Sequence, residues 1–264
     1  IDYFKFLRNT DMNFSGSMGE KLSKLAASVF SLDNLTIGIS CEEKDFKKAS
    51  AIKDIFSSKT VSETAKKAGK DEITSEGIVT PGKVQYAAKA ADYKKAGYEY
   101  SGKLLVLKNI IDLEYLWNTV RVQGGAYGCG CNFLRSGSMY MYSYRDPNLS
   151  NTLNIYDRSA EFVKDFNADE KSMTGYIIGA INSLDRPMSR EQKLKTALIR
   201  HINGITPELL QKERDEVLSA SVSDIRGYEN MLSAFKNSRN ICVIGNGDNI
   251  NKEKDIFDSV ISMK

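Results

Sequence analysis

Apolar residues recur at helical spacing at Leu22, Leu25, Ala26 and Val29. They follow Ser17 and Glu20, which stand in the S-x-x-E spacing of a capping box. That pattern predicts an amphipathic helix. Asn34 then leads into Leu35-Thr-Ile-Gly-Ile39, read as a short strand, and into a helical stretch closing near Asp54-Ile-Phe56. From Ser57 to Gly77 large apolar side chains almost vanish and Ser, Thr, Lys and Glu take over, the composition of an exposed linker with some helical content.

After Thr80-Pro-Gly82 the pattern changes. Lys83 to Ala91 reads as a strand, and Tyr100 to about Arg121 as a long helix carrying Leu104, Leu107, Ile110, Ile111, Leu113, Leu116 and Trp117. Gly124-Gly125 stops it. Two strands follow, Ala126–Leu134 and Ser138–Tyr144, joined at Arg135-Ser-Gly137 as a hairpin. On the second, Ser138, Tyr140, Tyr142 and Tyr144 alternate with Met139 and Met141, which gives the strand a tyrosine face. That face suits an ordinary amphipathic sheet strand, the favoured reading, with the lining of a substrate chamber as the alternative. Asp146-Pro147 has the order of an acidic N-cap with proline at the first helical position. Helices are then predicted over Met173–Leu184, from Thr206-Pro207-Glu208 through Val217, and over Ser221–Phe235. Asn240–Ile244 reads as a strand and the surroundings of Lys254–Phe257 as a last helix.

This ending echoes the beginning. Asn34-Leu-Thr-Ile-Gly and Lys53-Asp-Ile-Phe56 recur about two hundred residues later as Asn240-Ile-Cys-Val-Ile-Gly and Lys254-Asp-Ile-Phe257. The expected organisation is therefore residues 1–58 as the tail of one repeat domain, 59–77 as linker, and 78–264 as a whole second domain. The first residues, Ile1-Asp-Tyr-Phe4, carry neither methionine nor a basic-then-apolar leader and read as a cut inside a longer protein.

Composition narrows the classes. A hydrophobic share of 41% and a charged share of 27% are those of a globular chain, and a net charge of +3 with interspersed signs argues against a nucleic-acid partner. No apolar run of about 18 residues exists, so no membrane-spanning helix is expected. The cysteines are Cys41, Cys129, Cys131 and Cys242, without a C-x-x-C pair. Free thiols suit a reducing compartment, the cytoplasm or an organellar matrix. His201 is the single histidine and reads as a helix-surface or interface residue, since one imidazole cannot build a catalytic zinc site. Ile244-Gly-Asn-Gly-Asp-Asn-Ile250 has part of a dinucleotide fingerprint. It lacks the third glycine and the chain length for a βαβ unit.

The segment Trp117-Asn-Thr-Val-Arg121-Val-Gln-Gly124-Gly125-Ala-Tyr127-Gly carries the chemistry. Gly124 and Gly125 let another backbone approach closely. Arg121 in the last helical turn and Tyr127 at the strand entry can serve one small volume. A fork of N–H donors with a phenolic O–H suits a peptide carbonyl or a developing oxyanion. The plain alternative is a helix C-cap with a basic residue in the last turn.

Arg121-Val-Gln-Gly-Gly-Ala-Tyr127-Gly resembles the R-V-x-G-G-A-Y-G signature in the last domain of presequence-protease-type peptidases, a branch of the insulinase/pitrilysin superfamily. Pro81-Gly-Lys-Val-Gln-Tyr86, Tyr98-Glu-Tyr-Ser-Gly102, Ser143-Tyr-Arg-Asp-Pro-Asn148, Tyr176-Ile-Ile-Gly-Ala-Ile181 and Gln211-Lys-Glu-Arg-Asp-Glu216 resemble that branch in the same order; Ala90-Ala91 departs from it. The resemblance implies an α+β fold, a mostly antiparallel sheet with helices on one face. It implies that Arg121 and Tyr127 contact substrate and that Tyr127 helps to stabilise the tetrahedral intermediate, with Gly124 and Gly125 in the substrate-binding segment. It implies a zinc endopeptidase that degrades unfolded peptides. The Zn2+ would sit on an H-x-x-E-H helix in an amino-terminal half, the partner of this one, and its ligands are not in this chain. The alternatives are a non-catalytic binding or scaffold subunit of the same superfamily and an independent nucleotide-binding module.

Overall fold

The computed structural model describes residues 2–30, 35–52 and 75–263. Two compact units are distinguished, one of residues 1–71 with 187–205, the other of residues 72–186 with 206–264.

In the first unit the described helices are Asp2–Met12, Gly16–Val29, Phe46–Ser50 and Arg190–Ile202. The second of these starts one residue after Ser15, so the capping box expected from Ser17 and Glu20 does not form; Ser17 Oγ pairs with Ser15 Oγ at 2.9 Å instead. Leu22, Leu25 and Val29 remain exposed. The strand expected at Leu35–Ile39 is irregular chain. A segment of that length gains hydrogen bonds only beside a partner strand, and among the described residues it has none. The helical end near Asp54-Ile-Phe56, linker residues 59–74, and the Asn34 and Lys53–Phe56 parts of the internal echo lie outside the described residues. His201 is an exposed residue in the last turn of Arg190–Ile202.

The second unit is built on a six-stranded sheet. Its strands are β1 (Glu76–Thr80), β2 (Gln85–Asp92), β3 (Gly128–Phe133), β4 (Ser138–Asp146), β5 (Asn240–Asn246) and β6 (Ser259–Ser262), in the order β3-β4-β2-β5-β1-β6. The pairs β3–β4, β4–β2 and β2–β5 are antiparallel, whereas β5–β1 and β1–β6 are parallel. The fold is the expected α+β class with a mostly antiparallel sheet. β1 and β6 were not predicted, and β1 begins inside the polar stretch read as linker, with Ser75 buried just before it.

One face of the sheet carries the helices. Ala87, Ala91, Cys131, Phe133, Met139, Met141, Ile241 and Val243 point into that core. On β4 the period of two is kept over most of the strand, with Met139 and Met141 inside and Tyr142 and Tyr144 exposed. The long helix predicted from Tyr100 divides into Lys103–Ile110 and a wider, π-helical stretch, Ile111–Gln123. Leu104, Leu107, Ile110, Ile111, Leu116 and Val120 are buried, while Leu113 and Trp117 are not. Gly102 opens this helix where a Cβ would lie 1.9 Å from the Glu213 carbonyl oxygen, so only glycine permits the approach. The π-helical stretch packs along β3, and Asp112 Oδ1 accepts the backbone N–H of Cys131 at 2.7 Å.

The hairpin turn stands as expected, with Gly137 at a φ of 106° and its N–H donating to Leu134 O at 3.0 Å. Glu170–Leu184 is capped by Asp169, and Pro207–Leu218 by Thr206 with proline in the first turn. Asp146 is not a helix cap. It ends β4, buried, and accepts from Asn148 N at 2.8 Å and Thr152 Oγ1 at 2.7 Å; the following helix begins at Ser150. The helix expected over Ser221–Phe235 is broken near Gly227 into Val222–Arg226, Glu229–Leu232 and one tight turn. Lys254–Ile256 is likewise a single tight turn. In the glycine run, Asn246 caps Gly247–Lys252 by accepting from Asn249 N at 2.9 Å, and at Gly245 a Cβ would lie 2.3 Å from the Val84 carbonyl oxygen. No described helix is long and apolar enough to cross a membrane.

Candidate functional site

The RVQGGAYG segment forms a helix exit followed by a strand entry. At Gly124 a Cβ would sit 2.5 Å from the Val120 carbonyl oxygen. Gly125 has a φ of 78°, in the left-handed region where side chains are strained. Its N–H donates to Arg121 O at 2.9 Å, and Ala126 N donates to Val120 O at 3.2 Å, which engages two carbonyls of the helix's last turn. The chain then turns into the sheet, and Tyr127 N donates to Tyr144 O at 3.0 Å.

These constraints fix where the two predicted side chains stand. The guanidinium of Arg121 lies over the indole of Trp117, its Cζ 3.9 Å from the ring centroid. No hydrogen bond or ion pair engages it among the described residues, so the stacking holds the fork while leaving its N–H donors free. Tyr127 is 66% exposed and packs its ring at 5.5 Å from Tyr144. Tyr144 in turn meets Tyr86 edge-on at 5.0 Å.

Tyr127, Tyr86, Tyr142, Tyr144 and Ile244 line a shallow hollow of about 460 Å³ on the open face of the sheet, with Ala88 and Cys242 between them. The rings are apolar walls that each carry one polar hydroxyl. Arg121 is not among the lining residues. The structure thus gathers Tyr127 with the tyrosine face, gives Gly124 and Gly125 backbone reasons of their own, and seats Arg121 on Trp117.

Across β3 the open face is kept low by small residues. Gly130 faces Tyr142, whose hydroxyl would lie 2.8 Å from a Cβ placed there. Cys129 also lines the hollow, whereas Cys131 is buried on the helix-covered side. Burial, reinforced by the Asp112 carboxylate, pushes the Cys129 thiol up to about 11, and Cys131 is raised for the same reasons. All four cysteines are free. Among the described residues no group of three His, Cys, Asp or Glu side chains could hold a metal ion, so the donors present do not fit a zinc site.

One neighbour, Arg145, reads from sequence together with Asp146 as a turn and cap device, not as a catalytic residue. Gln85 pairs with Asp146 and Ala87 with Ser143, so the single residue Tyr86 on β2 faces two residues, Tyr144 and Arg145, on β4. This is a β-bulge. Arg145 has a φ of 50° and is the one non-glycine residue with positive φ among those described. That conformation costs an L-residue about 1–2 kcal/mol. The signal legible in sequence was the break in alternation after Tyr144, which reads there as a turn.

A model of the family described as PreP C-terminal domain matches residues 75–246. Among curated relatives, "Protein HypA" of Clostridium perfringens is 38% identical over 267 residues, covering 100% of this chain and 27% of its own. "Presequence protease 1, chloroplastic/mitochondrial" of Arabidopsis thaliana is 34% identical over 193 residues, 72% of this chain and 18% of its own. This chain thus spans about a quarter or less of the length of these relatives. Among solved structures, a peptidase M16 inactive domain from Pseudomonas fluorescens superposes with a TM-score of 0.52 at 14% identity, over 81% of this chain and 52% of its own. A protease from Helicobacter pylori superposes with a TM-score of 0.55 at 10% identity, over 78% of this chain and 53% of its own. At these identities the likeness is one of fold.

Proposed function

Because this chain belongs to the PreP C-terminal domain family, we propose that it forms the substrate-binding wall of a zinc-dependent endopeptidase acting on unfolded peptides. The zinc and its ligands would belong to an amino-terminal half of the same polypeptide, which would be this chain's partner. Residues 1–58 would be the tail of the preceding repeat domain, joined through 59–77 to the last domain, 78–264. The uncovered apolar side chains of Gly16–Val29 are in keeping with a segment whose packing partner lies elsewhere in the longer protein.

The observation that carries the reading is the pairing, at one helix exit, of an unengaged guanidinium with an exposed phenol at the rim of an aromatic hollow. A peptide lying across the tyrosine face would receive N–H donors from Arg121 at a backbone carbonyl. The O–H of Tyr127 would donate to the oxygen that gains negative charge as the attacked carbon becomes tetrahedral. That bond strengthens as charge develops, so it lowers the barrier rather than merely tightening binding. Gly124 and Gly125 would keep the path of the peptide clear of side chains.

Full-length protein containing this chain is expected to hydrolyse a fluorogenic unstructured peptide, to lose that activity to a chelator and to regain it with zinc. The 264-residue chain alone, supplied with zinc, is expected to show no turnover. Turnover by the isolated chain that survives repurification would overturn the split-site reading. A full-length protein that binds peptides but cleaves none would favour a non-catalytic scaffold. Within an active full-length protein, Arg121→Ala is expected to lower kcat/KM about ten- to a hundredfold, the range for losing hydrogen bonds from a charged group. An unaltered kcat/KM would reduce Arg121 to a helix-capping residue.

A further inference from the structure

We infer that Arg145 is a specificity-determining residue that binds a carboxylate of the peptide lying on the tyrosine face. The inference rests on the peptide-binding reading above and adds to it the chemical class the surface prefers.

The first observation is the bulge. Had β4 kept its alternation, Arg145 would follow Met141 and Ser143 into the helix-covered core, and Asp146 would face outward. The extra residue opposite Tyr86 reverses this, with Asp146 buried and Arg145 exposed directly after exposed Tyr144. Bulges commonly re-aim a side chain in this way beside functional sites.

The second observation is the residue that occupies it. Glycine takes a φ of 50° without strain and asparagine with little, whereas an arginine must be held there. The holding groups are visible on both sides: Tyr127 N on Tyr144 O, and Asn148 N and Thr152 Oγ1 on the Asp146 carboxylate. They account for the bulge and for the burial of Asp146. They do not account for a guanidinium at the strained position.

The third observation is what the guanidinium meets. Its Cζ stands 6.0 Å from the Tyr127 ring and 5.8 Å from the Tyr144 ring, and no carboxylate or hydrogen bond engages it among the described residues. The adjacent Asp146 is turned away and bonded elsewhere. Arg145 does not line the hollow itself, but its guanidinium stands beside two exposed rings that do, and there it offers a planar fork of donors at the margin of the hollow. The group that matches such a fork in two parallel hydrogen bonds is a carboxylate. A peptide can supply it from its C-terminus or from an Asp or Glu side chain.

The test is a binding measurement on full-length protein held under chelator, so that cleavage is not needed. Four labelled unstructured peptides are compared by fluorescence anisotropy. They combine a free or amidated C-terminus with a central Glu or Gln. Wild type is expected to bind at least one carboxylate pair about tenfold more tightly than the peptide lacking both groups, which also identifies the source of the carboxylate. Arg145→Gly should shrink that ratio below about twofold and Arg145→Lys should keep part of it. The Tm of Arg145→Gly should be unchanged or higher, because glycine relieves the backbone. A ratio that survives Arg145→Gly, or is absent in wild type that still binds peptide, overturns the role of Arg145 and leaves the peptide-binding reading standing. Failure of wild type to bind any of the four overturns both.

Discussion

Replacing Tyr127 with phenylalanine in the full-length protein is expected to lower kcat about ten- to a thousandfold, the range for losing one donor to a developing oxyanion. The change deletes one exposed oxygen and keeps the ring that packs on Tyr144, so the Tm should not move. The KM should change less than kcat, because a bond made chiefly in the transition state contributes little to ground-state binding. Steady-state kinetics with a fluorogenic peptide, beside a thermal melt, separates the possibilities. An unchanged kcat with an intact fold would remove Tyr127 from the chemistry and leave it as part of the aromatic floor.

The second large effect concerns stability. Lys89 sits in the middle of β2 on the helix-covered face, with its side chain only 5% exposed, and its Nζ lies 2.5 Å from Asp157 Oδ1, which is 24% exposed. Removing the carboxylate leaves a cation in the core without its partner. Asp157→Ala is therefore expected to cost roughly 3 kcal/mol, the lower end of the range for such losses because Asp157 keeps some contact with water. In a domain of this size that lowers Tm by about 6–12 °C. Adding Lys89→Met to the Asp157→Ala variant should restore most of the loss, since an apolar chain of similar length suits the same space. Melts of the two single variants and the double variant measure the coupling. If Asp157→Ala melts within a degree or two of wild type, the pair is incidental to the fold.

Much of the sheet could be read from local pattern, and the exceptions share a cause. β2, β3, β4 and β5 announce themselves through alternation and through the turn glycine at 137, because each carries its own apolar face. β1 and β6 do not. Glu76–Thr80 and Ser259–Ser262 are short and partly polar, and they are strands only because β5 and β1 stand beside them in parallel, contacts more than a hundred residues away along the chain. The reverse error occurs at Leu35–Ile39, where β-branched residues suggest a strand but no neighbour supplies hydrogen bonds among the described residues. Helix starts were legible at some local caps, as at Thr206 and Ser221, but not at Asp169 or at the capping box of Ser189, whose helix was not predicted. They were misread at Asp146, whose carboxylate serves the turn to Asn148 rather than the helix. At the candidate site, Arg121 and Tyr127 could be picked out by motif. The seat of Arg121 on Trp117 could be suspected from the i, i+4 spacing, whereas the outward turn of Arg145 depends on a register that only strand pairing defines.

The contact between Asp112 and the edge of β3 has a consequence for how a guest peptide can be held. A chain that joins a sheet at its border is fixed in direction and in step by the repeating amides it meets. At β3 that border is taken: the π-helical stretch lies along it, and the outward amide of Cys131 already has the Asp112 carboxylate as its acceptor. A peptide entering from this side finds rings, hydroxyls and guanidinium forks, and no backbone ladder to continue. On such a surface no run of amides sets the guest's direction or step; under the proposed reading that is left to single side-chain contacts such as the one inferred for Arg145. Under the proposed function the surface would suit many unrelated sequences, and the choice of the bond to be cut would fall to the proposed amino-terminal half.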